Sequence, residues 1–187
     1  MSQVRIDPQV HLPMPVVLVG AMVEGRANFM PAGWVCRANY QPPMLAVGIG
    51  HGKWTAKGIR EAKAFSVNLP GTAMVEAVDY CGIVTGRKAD KAAVFATFPG
   101  DLGAPLVADC PLALECALRQ VVELPSNYLF LGEITGAWAE AGVLTNGVPD
   151  PEKLNPLFLT MPDNTYWKLG PALAKAWSCG KAVKERR

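Results

Sequence analysis

From Pro13 to Val23 the chain reads PMPVVLVGAMV, a valine-rich apolar run too short for a stable helix. Glu24-Gly25 then supplies turn chemistry, so the pattern predicts a strand followed by a hairpin. Asn28 to Trp34 contains Pro31 and Gly33, which predicts an irregular or bulged edge strand, the kind of place where a ligand approaches backbone. After Pro42-Pro43 a second apolar run, Met44 to Ile49, is interrupted by Gly48 and followed by Gly50 and Gly52, which let the backbone come close to something. Thr55 stands where a helix N-cap is expected, and Ile59, Ala62 and Phe65 follow at helical spacing.

Further along, FSVNL (Phe65–Leu69) predicts a short strand ended by Pro70-Gly71, and Thr72 to about Cys81 a helix. Asp90 to Phe95 fits a short helix or a strand equally. Between Leu106 and Glu140, valine, leucine and aromatic residues come in near alternation around a PSN turn, which predicts a meander or Greek-key hairpin pair. Leu157–Thr160 and Thr165–Leu169 read as short strands, and Ala172–Trp177 as a terminal helix after Gly170-Pro171. Many short strands with two or three helices predict a mainly β protein, a barrel with helical additions. At 187 residues without a linker-like break, one domain over 1–187 is expected.

Composition narrows the function. Half of the residues are hydrophobic and 18% charged, below the usual quarter, which leaves apolar surface for a partner chain and predicts a homodimer. Basic residues cluster only at Lys181, Lys184, Arg186 and Arg187, without interleaved aromatics, so nucleic acid is not an expected partner. The longest apolar run, Val16–Val23, is too short to cross a bilayer, and the start lacks a signal-peptide pattern. Five scattered cysteines without a CxxC pair predict reduced thiols in a cytoplasmic protein, and two histidines give a zinc site little support.

Familiar catalytic signatures fail. GIGHGKW lacks GxGxxG spacing, Trp54 stands where a P-loop needs Ser or Thr, and no GxSxG elbow occurs. With so little acid-base equipment, redox chemistry carried by a cofactor is favoured over hydrolysis. Lys53 and Thr55 at a helix start would offer an anion a cation, a hydroxyl and free amides. The same residues fit an ordinary N-cap beside a solvated lysine. Taken singly, Trp34 fits core packing, Asn28 turn chemistry, and Cys36 a small buried hydrophobe.

In sum of pattern, PVVLVGAMVEGRANFMPAGWVCRANYQPP, HGKWTAKGIREAKAFSVNLP, Asp79-Tyr80-Cys81-Gly82 with Gly86 and Asp90-Lys91, Leu114-Glu115-Cys116, Gly132-Glu133 and YWKLG resemble, in order, the flavin reductase-like, FMN-binding split-barrel family that includes the flavoredoxins. The resemblance implies a Greek-key split barrel and a homodimer holding noncovalent FMN near the subunit interface. Electrons would pass between NAD(P)H or a redox protein and bound or free flavin. By position it implies cofactor contacts from Asn28, Met30, Ala32, Trp34, Cys36, Lys53, Thr55 and Lys91. Asn28 and Trp34 would line the isoalloxazine, Lys53 and Thr55 the phosphate, and Lys91 would reach the nucleotide. Gly33 and Ala92 depart from the Ser and Phe that many relatives carry. An electron carrier reduced only by another protein, or a cofactor-binding module without turnover, are the alternatives.

Overall fold

In the computed structural model, which describes residues 3–184, the first apolar run and its neighbour form the hairpin that the turn residues predict. Strand β1 (Val17–Val23) turns through Glu24 and Gly25, at φ 51° and 75°, into β2 (Arg26–Ala32). Two left-handed residues match the twist of a two-residue hairpin. Strand β2 is not bulged, because each residue from Arg26 to Ala32 pairs with β1. It is an edge strand, where Pro31 can lack an N–H without breaking a ladder.

Five more strands complete a seven-stranded antiparallel sheet: β3 (Val35–Asn39), β4 (Met44–Gly50), β5 (Ala64–Leu69), β6 (Leu112–Glu123) and β7 (Asn127–Ala139). Their spatial order is β2-β1-β5-β6-β7-β4-β3. Strands β2 and β3 are therefore opposite edges, yet only Gly33 and Trp34 separate them in the chain. Six strand spacings would hold the edges of a flat sheet about 29 Å apart. Ala32 and Val35 can be at most about 11 Å apart along an extended chain. The sheet must curl until its edges nearly meet, and this makes the barrel.

The barrel explains why β1 reads as continuous rather than alternating. Val17, Val19 and Ala21 belong to the barrel core with Val47, Ile49, Phe65 and Phe130. Leu18 belongs to a second cluster with Val16, Phe29 and with Val78 and Cys81 of helix α2 (Val75–Ile83). Burying side chains of this size is worth about 1.5–3 kcal/mol each. Helix α1 (Trp54–Ala62) adds Ala56 and Ile59 to the barrel core. It lies so close to β1 that a Cβ on Gly58 would stand 2.6 Å from the Met22 carbonyl oxygen.

A small sheet of Met14–Pro15, Leu157–Thr160 and Thr165–Lys168 lies beside the barrel. The Tyr166 hydroxyl donates to Asp79 Oδ1 at 3.0 Å, which ties this sheet to α2. Burial and then the Asp79 carboxylate push the Tyr166 pKa up to about 12.

Elsewhere the chain differs from its sequence pattern. Ala172–Trp177 forms no helix; residues 171–175 are irregular, 176–180 form turns, and a short helix follows at Lys181–Lys184. Leu173 and Trp177 are almost wholly exposed, so no packed apolar face supports a helix there. Leu106 sits in Pro105–Val107, which pairs with Thr97–Pro99 rather than with β6. Asp90–Phe95 resolves into a 3-10 turn at Ala92–Val94. Of the terminal basic cluster, Arg186 and Arg187 lie outside the described residues.

Candidate functional site

Strand β2, the start of α1 and the loop after α2 enclose a cavity of about 490 Å³. Its wall takes Asn28, Met30 and Pro31 from β2, Gly52 to Thr55 from the α1 start, Cys81 to Gly86 from the end of α2, and Lys91. Two lysines and no carboxylate line it, so its field is positive. The first turn of α1 adds amides that lack intrahelical acceptors, together with the positive end of the helix dipole.

Thr55 is not the N-cap. Lys53 holds that position with φ −76° and ψ 135°, and no side chain caps the helix. Thr55 is buried one residue inside the helix, where its Oγ1 accepts from Asn28 Nδ2 at 2.7 Å. That bond occupies a lone pair and leaves the hydroxyl proton to donate elsewhere. Asn28 is 4% exposed, and its Oδ1 is the one buried side-chain oxygen or nitrogen without a partner among the described residues. A buried acceptor left unpaired costs about 1–3 kcal/mol, which a ligand donor would recover. Gly86 closes over it, because any Cβ there would overlap Asn28 Oδ1.

Lys91 is buried, and its Nζ donates to the Cys81 carbonyl at 2.7 Å. That carbonyl belongs to the last turn of α2, where intrahelical donors run out. Among the described residues no carboxylate lies within 4.0 Å of Lys91. Burial lowers its pKa, the Cys81 thiol counteracts this, and the nearby Lys53 charge lowers it further. A buried ammonium without a counter-charge is a seat for an anion. Burial pushes the Cys81 thiol up to about 11, with Lys91 opposing, so it stays protonated at neutral pH. Trp54 stands at the rim with the Lys57 ammonium 4.8 Å and the Arg87 guanidinium 4.9 Å from its ring centre.

Of the sequence-predicted residues, Asn28, Met30, Lys53, Thr55 and Lys91 thus meet in one cavity. Ala32 is buried in the barrel core instead. Cys36, read singly as a small buried hydrophobe, is exposed, because β3 is an edge strand with an open outer side. Trp34 is 50% exposed, so it is not core packing, and it does not line this cavity. It lies against Gly48 in a separate apolar groove of about 750 Å³, with His11 stacked on it at 6.2 Å between ring centres. Sequence reasoning missed Trp54, Thr85 and Gly86 as cavity residues. Trp54 and Gly86 left a trace, as parts of the motifs behind the resemblance; Thr85 left none.

A family model described as a flavin reductase like domain matches residues 10–159. The chain belongs to the flavin reductase-like family. The family's split-barrel fold is the one described above. Among solved structures, a flavoredoxin from Methanosarcina acetivorans is 46% identical, covers 98% of this chain and 100% of its own, and superposes with a TM-score of 0.96. An FMN-binding protein from Thermus thermophilus is 26% identical over 94% of this chain and 98% of its own, with a TM-score of 0.80. An uncharacterised protein of Aeropyrum pernix is 36% identical over 67% of this chain, and the matched part is 49% of its own length.

Membership in the flavin reductase-like family gives the scattered motifs a common place. Asp79 and Tyr166, 87 residues apart, are hydrogen-bonded to each other. Lys91 holds the end of α2 through Cys81, and Asn28 holds Thr55. Neighbours and family alike support a flavin-linked redox role. Among the described residues no helix is long and apolar enough to cross a membrane.

Proposed function

We propose that this chain binds FMN noncovalently in the cavity at the α1 start and works as a flavin oxidoreductase. Electrons would pass between NAD(P)H, or a redox protein, and bound or free flavin. The observation that carries the reading is the carboxylate-free wall in which Lys53, Lys91, Thr55 and the α1 amides converge. The residues present fit the cofactor. Lys53 and Lys91 match a phosphate's charge, the Thr55 hydroxyl has a proton to give, and the unpartnered Asn28 Oδ1 accepts from a hydroxyl or ring N–H. Because Asn28 touches Thr55, its oxygen would face the phosphate end of a bound flavin, where ribityl hydroxyls would supply donors, rather than the isoalloxazine that the resemblance implies.

FMN, when bound, supplies the hydride and electron chemistry. This chain's residues bind, orient and screen it. The cavity holds no histidine or carboxylate, so no proton-transferring base is provided, and orientation and a fixed positive field are what the protein contributes. Burial favours the neutral thiol at Cys81.

A homodimer belongs to the same proposal, with the second copy covering the apolar groove around Trp34 and the flavin site lying near that interface. A cytoplasmic location is in keeping with the reduced cysteines, and neither nucleic acid nor membrane is an expected partner. The test is the visible spectrum of the purified protein with NADH or NADPH in the absence of oxygen. A yellow protein bleached by either donor is the expected result. Yellow without bleaching favours an electron carrier reduced by another protein, and a colourless protein that takes up no FMN overturns the reading.

A further inference from the structure

After the last strand of the small sheet the chain leaves the body of the molecule. Residues 171–180 are exposed without exception, and among the described residues no backbone hydrogen bond ties them to the barrel. Leu173 is 99% and Trp177 97% exposed, so two large apolar side chains on one short segment touch almost nothing. Trp177 also stands at φ 54°, an outlier for so bulky a residue, and with so little contact its own fold does not hold it there.

The sequence of this segment explains what it lacks. Gly170-Pro171 followed by ALAKAW is a helix start, with proline at the first helical position and then strong helix formers. In a helix Leu173 and Trp177, four residues apart, fall on one face, and Lys175 falls on the opposite one. A helix this short does not hold in water by itself. The segment is irregular because the Leu173–Trp177 face is uncovered.

A seat for that face lies close to the root of the segment. Pro13, Trp167 and Gly170 line a cleft of about 330 Å³, and Pro13 also lines the neighbouring groove of about 750 Å³ around Trp34. No charged side chain lines that groove, and Leu12, Trp34 and Leu124 are exposed in it. Such a wall suits a Leu–Trp face and leaves Lys175 in water. The chain's own segment does not enter the groove, since both anchors stand in solvent.

We propose that residues 171–177 dock as a short helix in the Trp34 groove of a second copy of this chain, with Leu173 and Trp177 as the anchors. This rests on the dimer reading of that groove and names the part of the second copy that fills it. In a twofold dimer built on this face each root lies at the edge of the interface, so the exchange is made twice. Anchors spaced i and i+4 in an apolar groove are a recurrent way of holding a helix that forms only on binding.

Hydrogen exchange of the amides of residues 172–177 tests this, measured on the purified protein above and below the concentration at which it dissociates. They should be protected in the dimer and exchange freely in the monomer. Leu173→Ser/Trp177→Ser, at two positions without packing to lose, should raise the dimer dissociation constant by about tenfold or more in sedimentation. A wild-type dimer with freely exchanging amides, or unchanged association of the double variant, overturns the exchange and leaves the dimer reading standing. Protection that survives in the monomer places the segment on its own chain and overturns it as well. A wild-type protein that is monomeric at every concentration removes the dimer reading and this proposal together. Neither measurement reads flavin, so the FMN assignment is tested apart from them.

Discussion

Lys91 is the residue whose surroundings most need explaining, a cation 6% exposed whose one protein acceptor is a carbonyl. Its pKa lies below the ordinary 10.5 chiefly because burial strips water from the charged form. Holding the ammonium therefore destabilises the flavin-free fold, and stability rises with pH as the folded chain releases the proton before the unfolded one does. A phosphate beside Lys91 has the opposite need. FMN affinity should fall as pH rises through the lowered Lys91 pKa, and Lys91→Met should lose this component while binding FMN about tenfold more weakly at neutral pH. Fluorescence titrations of FMN and riboflavin across pH check it; an unchanged FMN profile in Lys91→Met counts against the role. Single residues were legible unevenly in the sequence. Lys53 was readable because it precedes a helix. The Asn28–Thr55 pair was not, since 27 residues separate its members and only the barrel joins them. Lys91 came through the resemblance alone.

At the scale of elements, the strands were legible wherever an apolar run met a turn, as at β1, β4, β5 and the β6–β7 pair. The pattern could not show which strands become neighbours, and hence that Gly33-Trp34 bridges the two sheet edges. The misread terminal helix has a simple cause: six residues with a favourable start still need something to pack against. Strand β6 supplies a case where a buried charge organises a loop. Glu115, wholly buried, accepts from the Leu102 amide at 3.0 Å and the Ala104 amide at 3.1 Å. Glu115→Ala leaves both amides without that acceptor, at about 1–3 kcal/mol each. The urea midpoint should fall with an unchanged m value, while FMN affinity of the folded fraction holds. An unmoved midpoint would show that the carboxylate does not organise the loop.

For the whole molecule, low charge pointed to a partner surface, and the groove beside Trp34 is the exposed apolar face proposed for it. Trp34 is 50% and Leu12 81% exposed along a groove of about 750 Å³. If a second copy covers it, sedimentation at low micromolar concentration should show a dimer. Trp34→Glu, which places a charge in that groove, should shift the protein toward monomer and weaken FMN binding. A wild-type monomer with full flavin occupancy would remove both the interface and any shared site. The apolar balance alone could not have located this face, because it depends on which strand ends lie side by side.

The claim on which these readings depend is that Lys53 and Thr55 hold the phosphate of a bound flavin. Parallel titrations of FMN and riboflavin into wild type and Lys53→Ala/Thr55→Ala test it most directly, since the two ligands differ only in the phosphate. Loss of charge-assisted contacts worth about 1.5–3 kcal/mol each should weaken FMN by more than tenfold and riboflavin by far less. Equal losses for the two ligands, or none for either, would contradict the account.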